Sequence, residues 1–352
     1  MTRLTRSRSI ALAALLATGL GLGGLTACSA DPSGSSDPAE TPGSADPAAS
    51  GAFPVTVESS LGDAVIEAAP QRVVTIGWGS ADTAIALGVT PVGMEEAVWG
   101  GDGDGYFPWV REAIEENGAE LPQTFTVSPE VDVEAVLELE PDLILAPQSG
   151  ISQDDFDTLS AIAPTVAYPG EPWRTAWDEQ IAIIGQALGK GEEAAGLVDE
   201  IDAQLAEAAA QNPEFAGLSF AYVYTAEPGS LSLYQQGDPR VDLISALGLV
   251  EDPAVAAVPI TAGTFASTVG LERADLLDDV DVLFAWYNDQ ANADQIAAQP
   301  LFAQVPAVVR GSYIPVVDNQ LAMASSLLTP LSVPWALDSY VPLIADAAER
   351  VQ

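Results

Sequence analysis

No histidine occurs in the 352 residues, and cysteine occurs once, at Cys28. Without an imidazole there is no Ser-His-Asp or Cys-His catalysis, and the usual nitrogen ligands of zinc and haem are missing. What remains for chemistry is 51 acidic residues, 8 tyrosines, 7 tryptophans and 11 lysines and arginines. Two short stretches imitate reactive sites. Gly101-Asp-Gly-Asp-Gly105 opens like a calcium loop, but counting from Asp102 the sixth position is Phe107 and the twelfth Ala113. An EF-hand needs Gly and Glu there, so the stretch reads as a flexible loop at the lip of a cleft. Gly79-Ser80 follows a strand as a nucleophile elbow does, yet Ala81 and Asp82 break that motif and no histidine activates Ser80. A carboxylate pair of the glycosidase type is the enzymatic chemistry that this composition leaves open.

The elements that must position these residues begin after an unusual amino terminus. Arg3, Arg6 and Arg8 precede an apolar run from Ile10 to Leu25, and small residues follow. That is the pattern of a secretory signal peptide, and it is short for a membrane span of about 20 residues. Leu25-Thr26-Ala27-Cys28 is similar to the lipobox of bacterial lipoproteins. The resemblance implies that residues 1–27 are removed and that lipidated Cys28 anchors the protein to the outer face of the cell membrane. Two or more acyl chains hold stably where one does not. Residues 28–52 are mostly Ser, Pro, Ala, Asp and Gly and cannot bury enough apolar surface to fold. They read as a disordered tether reaching roughly 25–30 Å. Beyond residue 27 the acidic count stays at 51 while the basic count falls from 11 to 8, a formal net charge of −43. Such a surface repels nucleic acid.

The remaining 300 residues or so are too many for one small core, and short β-rich runs alternate with helical patterns, the mark of an α/β fold. Residues 53–170 form a first lobe: strands over Arg72–Ile76, Pro91–Met94, Asp142–Ala146 and Thr165–Tyr168, helices over Ser80–Leu87, Val131–Leu139 and Gln153–Ile162. Residues 171–212 are a helical connector. Ile181, Ile184 and Leu188 share the spacing of Val198, Ile201 and Leu205, as one apolar helix face requires. The spacing predicts one helix ending at Leu188 and another from Glu192 to Gln211, about 30 Å long, enough to join two lobes as a single rod. Residues 213–352 form the second lobe, with a strand over Ser219–Thr225 and a helix over Asp238–Leu247. One block recurs. Val131-Asp-Val-Glu134 leads through a helix to Pro141-Asp-Leu-Ile-Leu-Ala146, and Val269-Gly-Leu-Glu272 leads through a helix to Val280-Asp-Val-Leu-Phe-Ala285.

From about Arg72 onward the chain resembles the iron-siderophore substrate-binding lipoproteins of ABC importers, the Fe/B12 periplasmic-binding family of the helical-backbone class. The carrying pieces begin with Arg72-Val-Val-Thr-Ile-Gly77, Leu87-Gly-Val-Thr-Pro-Val-Gly93, Val133-Glu-Ala-Val136 and Ile162-Ala-Pro-Thr-Val166. They continue with Ile184-Gly-Gln-Ala-Leu-Gly-Lys190, Gly237-Asp-Pro-Arg240, Pro306-Ala-Val-Val-Arg-Gly311 and Leu331-Ser-Val-Pro-Trp335. The resemblance implies two three-layer α/β lobes joined by one long helix, with the ligand in the cleft between the lobes. It implies a monomeric binding protein, not an enzyme, without a cofactor and without direct metal ligands, that delivers a ferric siderophore to ABC permease subunits. A ferric siderophore brings its own iron ligands, so the protein need offer only aromatic faces and a few donors. Loops at the carboxyl ends of the strands are where such a ligand lies. The candidates there are Trp78, Trp99, Tyr106 and Gln148 in the first lobe and Tyr224, Tyr234, Arg240, Trp286 and Tyr287 in the second, each with plain packing as its competing role. Trp286 and Tyr287 stand out because they directly follow a buried strand. Glu134 and Glu272, at matching places in the repeated block, are the residues that the resemblance assigns to permease docking. The acidic surface favours neutral or cationic hydroxamate chelates over anionic catecholates. Cobalamin, which carries its own ligands, stays open as an alternative, and haem is disfavoured by the missing histidine.

Overall fold

Short apolar runs become the central strands of two sheets, one in each lobe. The computed structural model describes residues 52–225, 228–261 and 264–351. The signal segment 1–27, Cys28 and the tether as far as residue 51 lie outside the described residues. In the first lobe five parallel strands lie in the order Gln123–Phe125, Gly93–Glu95, Val73–Thr75, Leu143–Leu145, Thr165–Val166. Chain order therefore reverses between Val73–Thr75 and Leu143–Leu145. A crevice at the carboxyl ends of the strands beside such a switch point is the ligand position of open α/β sheets.

The second sheet is mixed. Ser219–Tyr224, Val282–Trp286 and Tyr313–Val316 are parallel neighbours, and Val250–Glu251 runs beside the start of Ser219–Tyr224. Ser230–Tyr234 is antiparallel to both Ser219–Tyr224 and Ala266–Gly270. A hairpin thus interrupts the strand-helix alternation, and the second lobe is not a strict repeat of the first. The recurring block also differs in detail. Val133–Glu138 is an α-helix capped by Asp132, whereas Leu271–Leu277 is a 3₁₀ segment kinked at Arg273.

Side-chain alternation along the strands builds the layers. Val73, Leu143, Leu145, Phe220, Tyr222, Val282 and Phe284 face one continuous core that runs through both lobes. Val74 and Ile144 face the outer layer of the first lobe, and Ala221, Val223, Leu283 and Ala285 that of the second. With helices on both faces, the central strands Leu143–Leu145 and Val282–Trp286 are apolar without interruption, as buried parallel strands are.

Between the sheets the helices Trp177–Ala187 and Gly191–Gln211 follow the expected periodicity, with Ile181, Ile184, Ile201 and Leu205 buried. The two pack so closely that a Cβ on Gly185 would lie 2.2 Å from the Ala194 methyl group. The lobes also meet directly. Thr329 Oγ1 of the second lobe donates to Asp82 Oδ1 of the first at 2.8 Å, both buried, and Trp109 stacks at a tilt on Trp335 with ring centroids 5.3 Å apart. A rod-like connector plus a buried inter-lobe bond resists hinge bending, because bending a helix breaks its hydrogen-bond ladder. Small-angle scattering with and without ligand is therefore expected to show little change in radius of gyration. A large contraction would identify the connector as a hinge.

Candidate functional site

The crevice in the first sheet is shaped by Gly77-Trp78-Gly79, the loop that leaves Val73–Thr75. Gly77 has φ of +83°, and a Cβ there would lie 2.3 Å from the Gln148 carbonyl oxygen. Only glycine lets the two loops approach that closely, and Trp78 N donates to Gln148 O at 3.0 Å. The Trp78 carbonyl in turn accepts from Gln180 Nε2. Trp78 is thereby held half-buried at the crevice, where its ring meets that of Trp173 at 5.4 Å. Trp173 itself sits at φ of +61°, a costly conformation of the kind that gathers at ligand clamps. Gln148 holds it there: Gln148 Nε2 donates to Trp173 O at 3.3 Å and Oε1 accepts from Thr175 N at 2.9 Å.

Two cavities share Trp78 and Trp173 as walls. The first, about 290 Å³, lies at the carboxyl ends of Val73–Thr75 and Gly93–Glu95, and Thr75, Glu95, Glu96 and Trp99 also border it, with Met323 entering from the second lobe. The second, about 200 Å³, lies between the lobes, bordered by Gln148 on one side and by Asp238, Arg240, Phe265 and Ser326 on the other. Arg240 is the centre of this second chamber. Asp238 caps the helix Pro239–Ala246 and accepts from Arg240 N, while its carboxylate takes Arg240 Nε at 2.8 Å and Nη2 at 2.7 Å. The guanidinium lies 3.7 Å above the Tyr234 ring. Its Nη1 is buried and has no hydrogen-bond partner among the described residues. Burial works against the charge, but Asp238 and the neighbouring tyrosine oxygens outweigh it and raise the Arg240 pKa, so the group is a permanent cation with one donor edge unspent.

Of the sequence candidates, Trp78, Trp99, Gln148 and Arg240 border these cavities. Tyr234 supports Arg240 from beneath. Tyr224 and Trp286 are a cross-strand pair with rings 5.3 Å apart, and Trp286 lies 5.8 Å from the Arg240 guanidinium, but neither borders the two cavities described. Tyr287 does not face the cleft. It continues the alternation of Leu283 and Ala285 into the outer layer, fully buried, where it accepts from the Tyr313 hydroxyl at 2.6 Å. Tyr106 is also buried away from both cavities, its hydroxyl donating to the Pro122 carbonyl and its ring beneath Arg111. The Asp102–Asp104 loop holds an arginine in place of a cation: Arg111 binds Asp102 at 2.6 Å and Asp104 at 2.9 Å, and holds the Asp102 carboxyl down at about 2. Ser80 donates to the Ile76 carbonyl and is no nucleophile.

Residues 73–314 match the family model described as periplasmic binding protein. The chain belongs to the periplasmic binding protein family. Its relatives are binding proteins, and so is this chain; it is not an enzyme. It is 26% identical over 272 residues to the Fe(3+) dicitrate-binding periplasmic protein FecB of Escherichia coli K12, which covers 77% of this chain and 85% of FecB. It is 28% identical over 276 residues to the ferric enterobactin-binding periplasmic protein FepB of Escherichia coli O6:H1, covering 73% and 81% of the two chains. Among solved structures, PiaA of Streptococcus pneumoniae TIGR4 in complex with ferrichrome superposes with a TM-score of 0.77 at 30% identity, over 84% of this chain and 99% of that one. Trp173, Phe265, Thr75 and Glu95 escape a reading of the sequence alone. Trp173 carries one visible signal, an aromatic residue seven positions beyond the strand Thr165–Val166, on the loop at its carboxyl end.

Proposed function

We propose that this protein captures a ferric siderophore, of hydroxamate type, in the cleft between its lobes and delivers it as a monomer to the permease subunits of an ABC importer. Lipidated Cys28 would anchor it to the outer face of the cell membrane. The observation that carries the reading is Arg240, a buried cation whose Nη1 is unpartnered among the described residues, bordering an aromatic cavity between the lobes. A buried unpaired donor is costly unless something accepts from it. The iron-bound oxygens of a chelate are suitable acceptors, and a charged hydrogen bond of this kind contributes about 1.5–3 kcal/mol. The two cavities together fall within the range of roughly 300–1,000 Å³ common to small-molecule sites. Ligands named for the relatives, Fe(3+) dicitrate, ferric enterobactin and ferrichrome, support the class. The −43 charge of the chain beyond residue 27 supports the uncharged or cationic hydroxamate type.

Glu134 and Glu272 are assigned to permease docking, since both are exposed, on different lobes, and neither borders the cavities. The capture function is tested by titrating the apoprotein with ferrichrome, ferrioxamine B and ferric enterobactin while following tryptophan emission. Quenching that saturates at one hydroxamate chelate per chain, with no chemical change in the ligand, is expected. Tighter binding of the catecholate would overturn the hydroxamate assignment, and no response to any ferric chelate would overturn the function.

A further inference from the structure

The first cavity has a chemistry opposite to that of the Arg240 chamber. Its bordering charges among the described residues are all carboxylates, Asp82, Glu95 and Glu96, with no lysine or arginine. Its aromatic walls are Trp78, Trp99, Trp173 and Phe107. Asp82 is already engaged by Thr329 and by Trp109 Nε1 at 2.8 Å. Glu95 is only half engaged: its Oε2 accepts from Gly77 N at 2.7 Å, while Oε1 has no hydrogen bond among the described residues. Thr75, on the adjacent parallel strand and about 1% exposed, also borders the cavity, and its Oγ1 is buried without a partner among the described residues. Two acceptors on neighbouring strand ends are thus unspent beside three indole rings.

We propose that this chamber is a subsite for a protonated amine, so that the protein selects ferric siderophores bearing a cationic arm. The inference rests on the ferric-siderophore reading of the cleft and adds to it the substrate subclass. An ammonium brings three donors and no acceptor. It therefore matches the Glu95 carboxylate and the Thr75 hydroxyl, as a charge-assisted donor to both. Indole faces attract a cation through their quadrupole, most strongly where water is excluded. An anionic arm would meet Glu95 and Glu96 with no counter-charge, and a purely apolar arm would leave Thr75 Oγ1 orphaned. Burial pushes the Glu95 carboxyl up, against the Gly77 amide and with Glu96 adding to the rise; a cation beside it opposes that burden. With Arg240 in the other chamber and Trp78 and Trp173 between, the site is polarised end to end. It places the oxygen-rich ferric centre at one pole and the amine at the other.

The test compares ferrioxamine B, a ferric trihydroxamate ending in a primary ammonium, with its N-acetylated neutral form, by isothermal titration against the apoprotein. The wild type should bind the ammonium form at least 10-fold more tightly. In Glu95→Gln/Glu96→Gln the ratio should collapse towards one. Glutamine at 95 can still accept from the Gly77 amide, which protects the fold. Thr75→Val, of the same shape without the hydroxyl, should reduce the ratio independently. Equal or tighter binding of the acetylated form by the wild type overturns the subsite while leaving siderophore capture intact. Failure of both forms and of ferrichrome to bind overturns both readings together. An ammonium preference that persists undiminished in all the variants overturns the assignment of Glu95, Glu96 and Thr75.

Discussion

Reversing Glu134 and Glu272 together to arginine is expected to abolish uptake of the ferric siderophore through its importer while leaving its affinity for the isolated protein unchanged. Both carboxylates are exposed, one on each lobe, and both open a helical turn. Glu134 follows the capping Asp132 in Val133–Glu138, and the Glu272 carboxylate folds back over Gly270 at the start of Leu271–Leu277. Neither borders either of the two cavities described, so a ligand there does not sense the change. The folded state senses it weakly, since an acid in the first turn of a helix contributes about 0.3–1 kcal/mol. A permease surface that pairs with two carboxylates senses it strongly. Two charge-assisted contacts fix both position and orientation, and like charges brought face to face repel the partner outright. Each single reversal should cut uptake substantially and the double reversal should remove it. Retained uptake in the double variant would overturn the docking assignment, as would lost ligand affinity in a variant that remains folded.

The second large effect concerns the buried pair. Asp238 and Arg240 are about 4% and 3% exposed at their side chains and joined by two hydrogen bonds. Arg240→Ala leaves Asp238 as a buried charge without its partner, which costs about 3–5 kcal/mol, readable as a lowered midpoint in urea denaturation. Replacing both charges with amides, Asp238→Asn with Arg240→Gln, should recover most of that stability, because no unpaired ion remains inside. Ligand binding should not recover. Loss of the Arg240 donor is expected to weaken the ferric chelate roughly 10- to 150-fold, the equivalent of about 1.5–3 kcal/mol for one charged hydrogen bond. Stability restored with binding still lost separates the two roles of this arginine. A double variant that binds as tightly as the wild type would reduce Arg240 to a structural residue.

The elements of this protein are set by neighbours along the chain, and those were legible. The helix predicted from Glu192 to Gln211 is observed as Gly191–Gln211, because an apolar residue every third or fourth position has one helical solution. The buried strand predicted around Asp142–Ala146 is observed as Leu143–Leu145 for the same local reason. Trp78, Gln148 and Arg240 were legible as well, each lying a few residues beyond a strand. Tyr287 shows where that rule is incomplete: nearness to a strand end places a residue at the rim, but the two-residue alternation set by Leu283 and Ala285 turns its ring to the outer layer. The cavities themselves depend on contacts that no local pattern encodes. Trp173 reaches Trp78 across 95 positions only because Gln148 pins its loop, and Thr329 meets Asp82 across 247. Periodicity within a few residues decides what is helix and what is strand. Which buried donors and acceptors are left unpaired is decided only when surfaces far apart in the chain close on one another, and Thr75, Glu95 and Arg240 owe their unspent atoms to that closure.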